Sequence, residues 1–554
     1  MADREPRPSL SHRMARWRWR RVRYALRRGW YASRLYRARL RRVPAAPPAA
    51  ITVDLWPGNA SRGQRIVDGD FVFAGRTLRE ADTPWQAADV SARWLADVAG
   101  FDWLRDLRAV GSEAARARAR ALVARWIETE GEWRALSWRP DVIGARLANW
   151  LAQAEFLTTG ADDAFRDTFH RSLRAQARHL QRVVRFAAPG TPRIDAIKGL
   201  ILASLALDGG RRLERWLKIL ETEIATQVLG DGGHISRNPS AQLAVLRHLT
   251  DVRAALRDGD HETPTALQTA IDRMAPMLRF FRHGDGKLAL FNGSDEDEDW
   301  LIDVVLTRSE GRGKPLSSAT HVGFERITAN RTLLIMDTGY AAPVDQDDNA
   351  HAGTLSFELS VGKERLVVNC GAHRGDSASW RVAQRTTAAH STVAVEDVNS
   401  AFLLPDSGIG DRAENVLVDR NEADSDTWLE ASHDGYARPF SMVHQRRLFV
   451  DGDGGDVRGE DNLTGKGARK FTTRFHLHPL VSASMSQDGR SVLLRLPSGM
   501  GWRFRASGGV VGLQDSVYLG DRDGVKRSRQ IVVSSATQNG AGQIKWAFAR
   551  LENQ

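Results

Sequence analysis

His351, Asn369 and His390 are the residues whose types and spacing first suggest chemistry. They stand in NAHAGTLSFELSVGKERLVVNCGAHRG, which starts at Asn349, and in WRVAQRTTAAHSTVAV, which ends at Val395. His351 precedes the alternating run Thr354–Ser360, Asn369 closes the run Arg365–Asn369, and His390 precedes Ser391–Val395. Alternation of apolar and polar residues predicts strands. Three nitrogen or oxygen donors at strand ends then converge on one point. Imidazole and amide ligands suit a divalent metal such as zinc. The same residues equally suit a hydrogen-bonded structural cluster, since a histidine is not by itself a ligand.

The elements that position these residues change character along the chain. From about residue 84 to 310, apolar residues recur at three- and four-residue spacing, in Trp85–Val98, Ser112–Thr129, Asp141–Leu157, Asp163–Phe186 and Ile194–Ala206, and again up to Asp299–Thr307. That period predicts helices, and Gly and Pro breakers separate them. Pro140 and Pro239 stand where a fixed proline φ favours a helix start. Helices joined by short loops predict stacked antiparallel hairpins, as in a toroid or solenoid. After about residue 315 the runs are short and alternating, with Asp, Asn and Gly turns, which predicts an antiparallel sandwich. Residues 51–72 are expected to form a short β-rich lead-in. The expected organisation is a basic extension (1–45), a helical domain (46–312) and a β-sandwich domain (313–554).

A chain of 554 residues exceeds one ordinary core, so several domains are required. Its net charge of +11 is local: residues 1–45 hold fifteen Arg and no Lys against Asp3 and Glu5, a net +13, and the remainder carries −2. The high isoelectric point therefore belongs to the leader, and no specific nucleic-acid partner is expected for the body. The leader interleaves Arg with Trp17, Trp19, Tyr24, Trp30, Tyr31 and Tyr36 and has no apolar core of a secretory signal. It suits an anionic membrane surface, contact with RNA, a fold-back onto the body, or a solvated extension. Pro44, Pro47 and Pro48 read as a linker. No run is apolar enough to span a bilayer. The single cysteine, Cys370, excludes a disulfide framework and a four-cysteine zinc site. Asp295–Asp299 (DEDED) lacks the ligand spacing of a calcium loop and reads as a solvated helix start.

Taken in order, several segments resemble the heparinase II/III family of polysaccharide lyases. WPGNASRGQRIVDGDFVFAG resembles its opening segment, and WRPDVIGARLANW (Trp138–Trp150) a helix start of the family. LGDGGHISRNPSAQ (Leu229–Gln242) resembles its central loop. HAGTLSFELS with RTTAAHSTVAV is the most specific piece, and HDGY, HQRRLFV and FHLHP follow. The resemblance implies a multidomain α+β chain, an incomplete (α/α) toroid followed by an antiparallel β-sandwich. It implies β-elimination on a uronate-containing acidic polysaccharide. In that reaction the uronate carboxylate is neutralised, a base takes the C5 proton and an acid protonates the leaving oxygen.

Carried over residue by residue, the resemblance makes His351, Asn369 and His390 the zinc positions, with Asn369 where an Asp is usual. Asn349 stands where a catalytic His is common, and an amide cannot act as a base at neutral pH. Ser236, Ala241 and Gln242 replace a Glu and a Tyr-His pair. His234 is the remaining candidate base or acid, Tyr436 its candidate partner with Tyr340 as a second choice, and Arg193 and Asn238 the candidate carboxylate anchors. The departures also support a rival expectation: a non-catalytic glycan-binding or assembly protein that keeps the lyase fold. The family points to the periplasm, whereas the sequence shows no export signal.

Overall fold

The computed structural model describes residues 19, 22, 26–49, 54–73, 76–79, 82–373, 375, 377–404, 408–522 and 524–551. The chain divides into two compact units. One runs to Leu220 and takes back Asp251–Thr263; the other comprises Glu221–Thr250 and everything from Pro264 onward. This differs from the division expected at residue 312. The loop around His234 and the segment from Pro264 to the sandwich cluster with the sheets.

The first unit is helical. Its helices include Glu113–Glu130, Pro140–Ala152, Asp163–Val183 and Thr191–Asp208. Side chains of Ser112 and Asp162 cap two of them, accepting backbone N–H groups of Ala115 and Phe165. The expected β-rich lead-in is instead the helix Ala60–Val67, capped by Asn59, and a small hairpin, β1 (Phe71–Phe73) with β2 (Arg76–Leu78); residues 51–53 lie outside the described residues. Trp126 and Trp150 pack edge to face with ring centroids 5.4 Å apart, and Phe101 joins them. The fully buried Arg146 stacks on Trp126 and donates to Gln176, Ala99 O and Ser137 O. These tryptophans are therefore core. Helices Pro140–Ala152 and Thr191–Asp208 touch at glycines: a Cβ on Gly199 would sit 2.5 Å from Gly144 Cα.

Part of the basic leader belongs to this unit. In the helix Arg34–Arg41, Tyr36 and Leu40 are buried, and the Tyr36 hydroxyl shares a hydrogen bond with His179 Nδ1 at 2.6 Å. Burial holds His179 neutral, its pKa lowered to about 3. The proline stretch is not a free linker: Arg174 binds Ala46 O, and Ala49 N–H donates to Ala206 O.

The second unit is built on β3 (Ser318–Ala319), β4 (Phe324–Ala329), β5 (Thr332–Asp337), β6 (Phe357–Val361), β7 (Glu364–Val368) and β8 (Val393–Val395). There follow β9 (Val416–Ala423), β10 (Asp426–His433), β11 (Val443–Val450), β12 (Asp456–Thr464), β13 (Lys470–Leu477) and β14 (Ser482–Met485). The chain closes with β15 (Ser491–Arg495), β16 (Gly501–Ser507), β17 (Val510–Tyr518), β18 (Lys526–Ala536) and β19 (Ala541–Arg550). Among the described residues, one antiparallel sheet has the order β17-β18-β13-β7-β6-β5-β4-β3, with β8 on β13; the other has β14-β15-β16-β19-β12-β11-β10-β9. Their apolar faces form one core that includes Phe357, Leu429, Phe475, Trp502, Trp546 and Phe548. Alternate residues of β10 to β12, such as Trp428, Arg447 and Arg458, face away from it.

Arg446 of β11 stitches the two sheets. It is fully buried, pairs with Asp461 of β12 at 2.7 and 3.0 Å, and donates to Leu355 O and Ser391 O at 2.8 Å each. Asp461 also accepts His444 and the Trp546 indole.

Candidate functional site

His351 and His390 lie side by side, and Asn369 bonds the backbone of Ser391 next to them. β6 and β7 form a hairpin that sets Asn369 at its end, and the short turn Thr387–Ala389 delivers His390 just before β8. Gly353 lies directly under the His390 ring, where a Cβ would come 2.6 Å from Cδ2. His390 Nδ1 donates to Thr386 O at 2.7 Å, so its Nε2 carries the lone pair and accepts from His351 Nδ1 at 3.0 Å. Asn369 Oδ1 accepts Ser391 N–H at 3.0 Å. His351 Nε2 and Asn369 Nδ2 remain buried without a partner. Burial lowers both histidine pKa values, that of His390 to about 4; the neighbouring His390 and Arg385 lower His351 further.

Both rings are therefore neutral, as metal ligation requires. The set as it stands nonetheless does not fit Zn²⁺. The third position is an uncharged amide whose oxygen accepts Ser391 N–H, and the two ring nitrogens close on each other at hydrogen-bond length. No carboxylate or thiolate joins them, and among the described residues no group of three or more His, Cys, Asp or Glu converges to hold a metal.

A buried polar framework fixes this cluster. Glu358 accepts Asn369 N–H at 2.9 Å through one oxygen, and His283 Nε2–H at 3.0 Å through the other. His283 bonds Ser360 through Nδ1. Arg365 pairs with Asp285. On the other side, Asn292 Oδ1 accepts His351 N–H, and Asn292 O accepts the Asn238 amide at 2.7 Å. Gly293, at φ 84°, lets Asn349 and Asn238 approach: a Cβ there would lie 3.0 Å from Asn349 Cβ and 3.5 Å from Asn238 Nδ2. Asn238, Asn349, His351, Asn369 and His390 thus form one neighbourhood.

The other candidates stand apart from it in their chemistry. His234 is buried; its Nδ1 accepts Ser236 N–H and faces the Ser236 hydroxyl at 2.7 Å, and its Nε2 faces Gln227 Oε1 at 3.2 Å. Burial lowers its pKa to about 4. Its backbone N–H is held by Gln242, which also ties Gly232 O and Met274 O. The ring is a fastener of the loop, each nitrogen facing a partner of its own. Asn238 Oδ1 accepts Ala241 N–H, so the proposed anchor is the N-cap of the helix that begins at Pro239. Tyr436 lies in the sandwich core; its hydroxyl donates to Val393 O at 2.7 Å and burial raises its pKa. Tyr340 is half-buried in a pocket of about 470 Å³ with His321 and Val416. Arg193 belongs to the helical unit, where it donates to Ala187 O. Asn349 alone is exposed.

Sequence reasoning missed Asn292, Glu358, His283, Gln242 and Arg446. Only Asn292 carried a usable signal, the Asn-Gly turn at Asn292–Gly293. The acidic run was also misread. Asp295 and Asp297 are buried rather than solvated, Asp297 accepting Ser240 and Arg522.

Comparison with known proteins agrees with this architecture. A family model described as Heparinase II/III-like, C-terminal, matches residues 311–547. FtsZ-localized protein C of Caulobacter vibrioides (strain NA1000 / CB15N) is 32% identical over 549 residues, 95% of this chain and 94% of that protein. A crystal structure of heparinase III superposes with a TM-score of 0.76 at 12% identity, over 93% of this chain and 89% of that one. Heparan sulfate lyase HepC from Pedobacter heparinus gives 0.60 at 16% identity, over 94% and 87%. The Streptomyces coelicolor A3 chondroitin AC lyase gives 0.53 at 10%, over 89% and 79%. At these identities the solved structures share the fold: a helical toroid followed by an antiparallel sandwich. With a matching family model over its sandwich and a relative that parallels it almost from end to end, the chain belongs to the heparinase II/III-like family.

Proposed function

We propose that this chain is a non-catalytic member of its family, a binding or assembly protein that keeps the lyase fold. One observation carries the reading: the groups that would move protons are spent inside the fold. Both His234 nitrogens face side chains of their own loop and helix, and the Tyr436 hydroxyl is bonded in the core. Asn349 occupies the exposed position where a base would be needed. The histidine pair then acts as a strut held by its own hydrogen bond, without zinc. The test is incubation with heparan sulfate, chondroitin sulfate and other uronate polymers, followed by the ultraviolet absorbance of an unsaturated uronate. No signal is expected; a signal that His234→Ala abolishes would overturn the proposal and restore the lyase reading.

The relative named for FtsZ localisation supports a role at the division apparatus. The leader supports an anionic membrane surface as the second partner. Trp19, Val22, Leu26 and Trp30 recur at three- and four-residue spacing and are 68%, 50%, 74% and 50% exposed, among arginines. Among the described residues no helix is long and apolar enough to cross a membrane. Co-sedimentation with anionic vesicles tests this best with Trp19→Glu and Leu26→Glu, because removing residues 1–45 also strips Tyr36 and Leu40 from the helical core. Undiminished vesicle binding by the double variant would exclude the leader.

A further inference from the structure

The outer face of the second sheet carries a surface that the histidine cluster does not use. Cross-strand pairing sets Trp428, Phe449, Arg458, Ala547 and Arg505 in one row across β10, β11, β12, β19 and β16. At the usual strand separation the row spans roughly 19 Å. The parallel row is Glu430, Arg447, Glu460, Lys545 and Ser507. Trp428 is 42% exposed and packs against Phe449 with ring centroids 5.1 Å apart. Arg458 lies over the Phe449 ring at 5.5 Å. Ala547 puts only a methyl group in the middle of the row, leaving a shallow trough of about 460 Å³. Arg447, Arg458, Arg505 and Lys545 line it with Glu460, and Glu430 and Asp456 flank it, a balance of four cations to three carboxylates. Arg447 is held by Glu430, Arg458 by Asp456 and Lys545 by Glu460 at 3.5 Å, whereas the exposed Arg505 makes no ion pair among the described residues.

We propose that this trough binds an anionic polysaccharide strand, one sugar ring stacking on Trp428 and carboxylate or sulfate groups meeting Arg505, Lys545 and Arg447. Charge complementarity selects an acidic occupant, and the flat exposed indole selects one with ring faces. The trough lies over the centre of the sheet, where the backbone is already paired, so an extended peptide gains no main-chain bonds there. A nucleic acid would call for successive stacking platforms, and this face presents a single aromatic pair. The proposal is independent of whether the chain is a lyase.

The test uses the full chain, Trp428→Ala and Arg505→Glu, each checked for an unchanged melting temperature. Binding is measured by calorimetry to heparan sulfate, chondroitin sulfate, a neutral glucan and polyglutamate. Each substitution is expected to weaken binding of the acidic glycans about five- to tenfold. Arg505→Glu should also flatten the salt dependence. Unchanged affinity in both variants, no binding of either acidic glycan by the parent chain, or equal binding of the neutral glucan would overturn the proposal. Tighter binding of polyglutamate than of the glycans would reassign the surface to an acidic peptide.

Discussion

Replacing Arg446 by Met should loosen both sheets at once. The guanidinium contributes two bonds to Asp461 and one each to Leu355 O and Ser391 O, all fully buried. Removing one partner of such a pair costs about 3–5 kcal/mol, because the other charge stays in the interior. Asp461 keeps the His444 and Trp546 donors, so the lower end, about 3 kcal/mol, applies. Hydrogen exchange of the β11 and β12 amides reads that local loss directly: exchange through opening should quicken more than a hundredfold. The effect has a sign in pH. Burial alone would raise the Asp461 pKa, but Arg446 and His444 hold it well below the usual carboxylate range. In the native chain its contribution is therefore full above the unfolded carboxylate value and lost as pH falls through the depressed folded one. In the variant burial prevails and the folded value rises, so the penalty is largest at neutral pH and shrinks on acidification. Arg446→Met with Asp461→Leu removes both charges and should recover most of the loss. An acceleration under fivefold, or a double variant no better than the single one, would refute the assignment of Arg446 and Asp461 as a mutually dependent pair.

Three further outcomes follow from the same coordinates. Asn369→Asp adds the missing negative charge beside two neutral imidazoles, so it should retain close to one zinc per chain after dialysis while the native protein retains little; equal metal content in both would refute the fit argument. Burial holds the His234 pKa at about 4 against an unfolded value near 6.5, so the unfolded chain takes up the proton first; stability is complete above about pH 6.5 and falls as pH drops toward 4, by about 3 kcal/mol from this group. His234→Gln should flatten that part of the urea-midpoint profile, and an unaltered slope would contradict it. Gly199→Ala must push Thr191–Asp208 away from Gly144, at a cost of about 3 kcal/mol, visible as a lower melting temperature of the helical unit; an unchanged melting temperature would show that the helices can part freely.

The elements were largely legible because their periods are strong. The run read as Ser112–Thr129 is the helix Glu113–Glu130, and that read as Asp163–Phe186 is Asp163–Val183 with a short 3-10 turn after it. The lead-in failed because Asn59 caps a helix whose first turn, Ala60 to Gly63, carries little apolar signal. The meeting of His351, Asn369 and His390 was legible because strand ends at a hairpin are local geometry. The burial of His234 and Tyr436 was not. It depends on partners distant along the chain, such as Val393 for Tyr436, and on Gln242 on a neighbouring turn. The family resemblance assigned His234 by position and left Tyr436 as a choice among tyrosines, and neither reveals which way a ring points.

The docking of Tyr36 and Leu40 into the helical unit has a mechanical consequence. Residues 26–30 lead into this anchored segment, with Ala32 and Ser33 as the turn before Arg34–Arg41. A partner that held Trp30 would therefore hold the helical unit itself, because the next helix is buried in it through Tyr36 and Leu40.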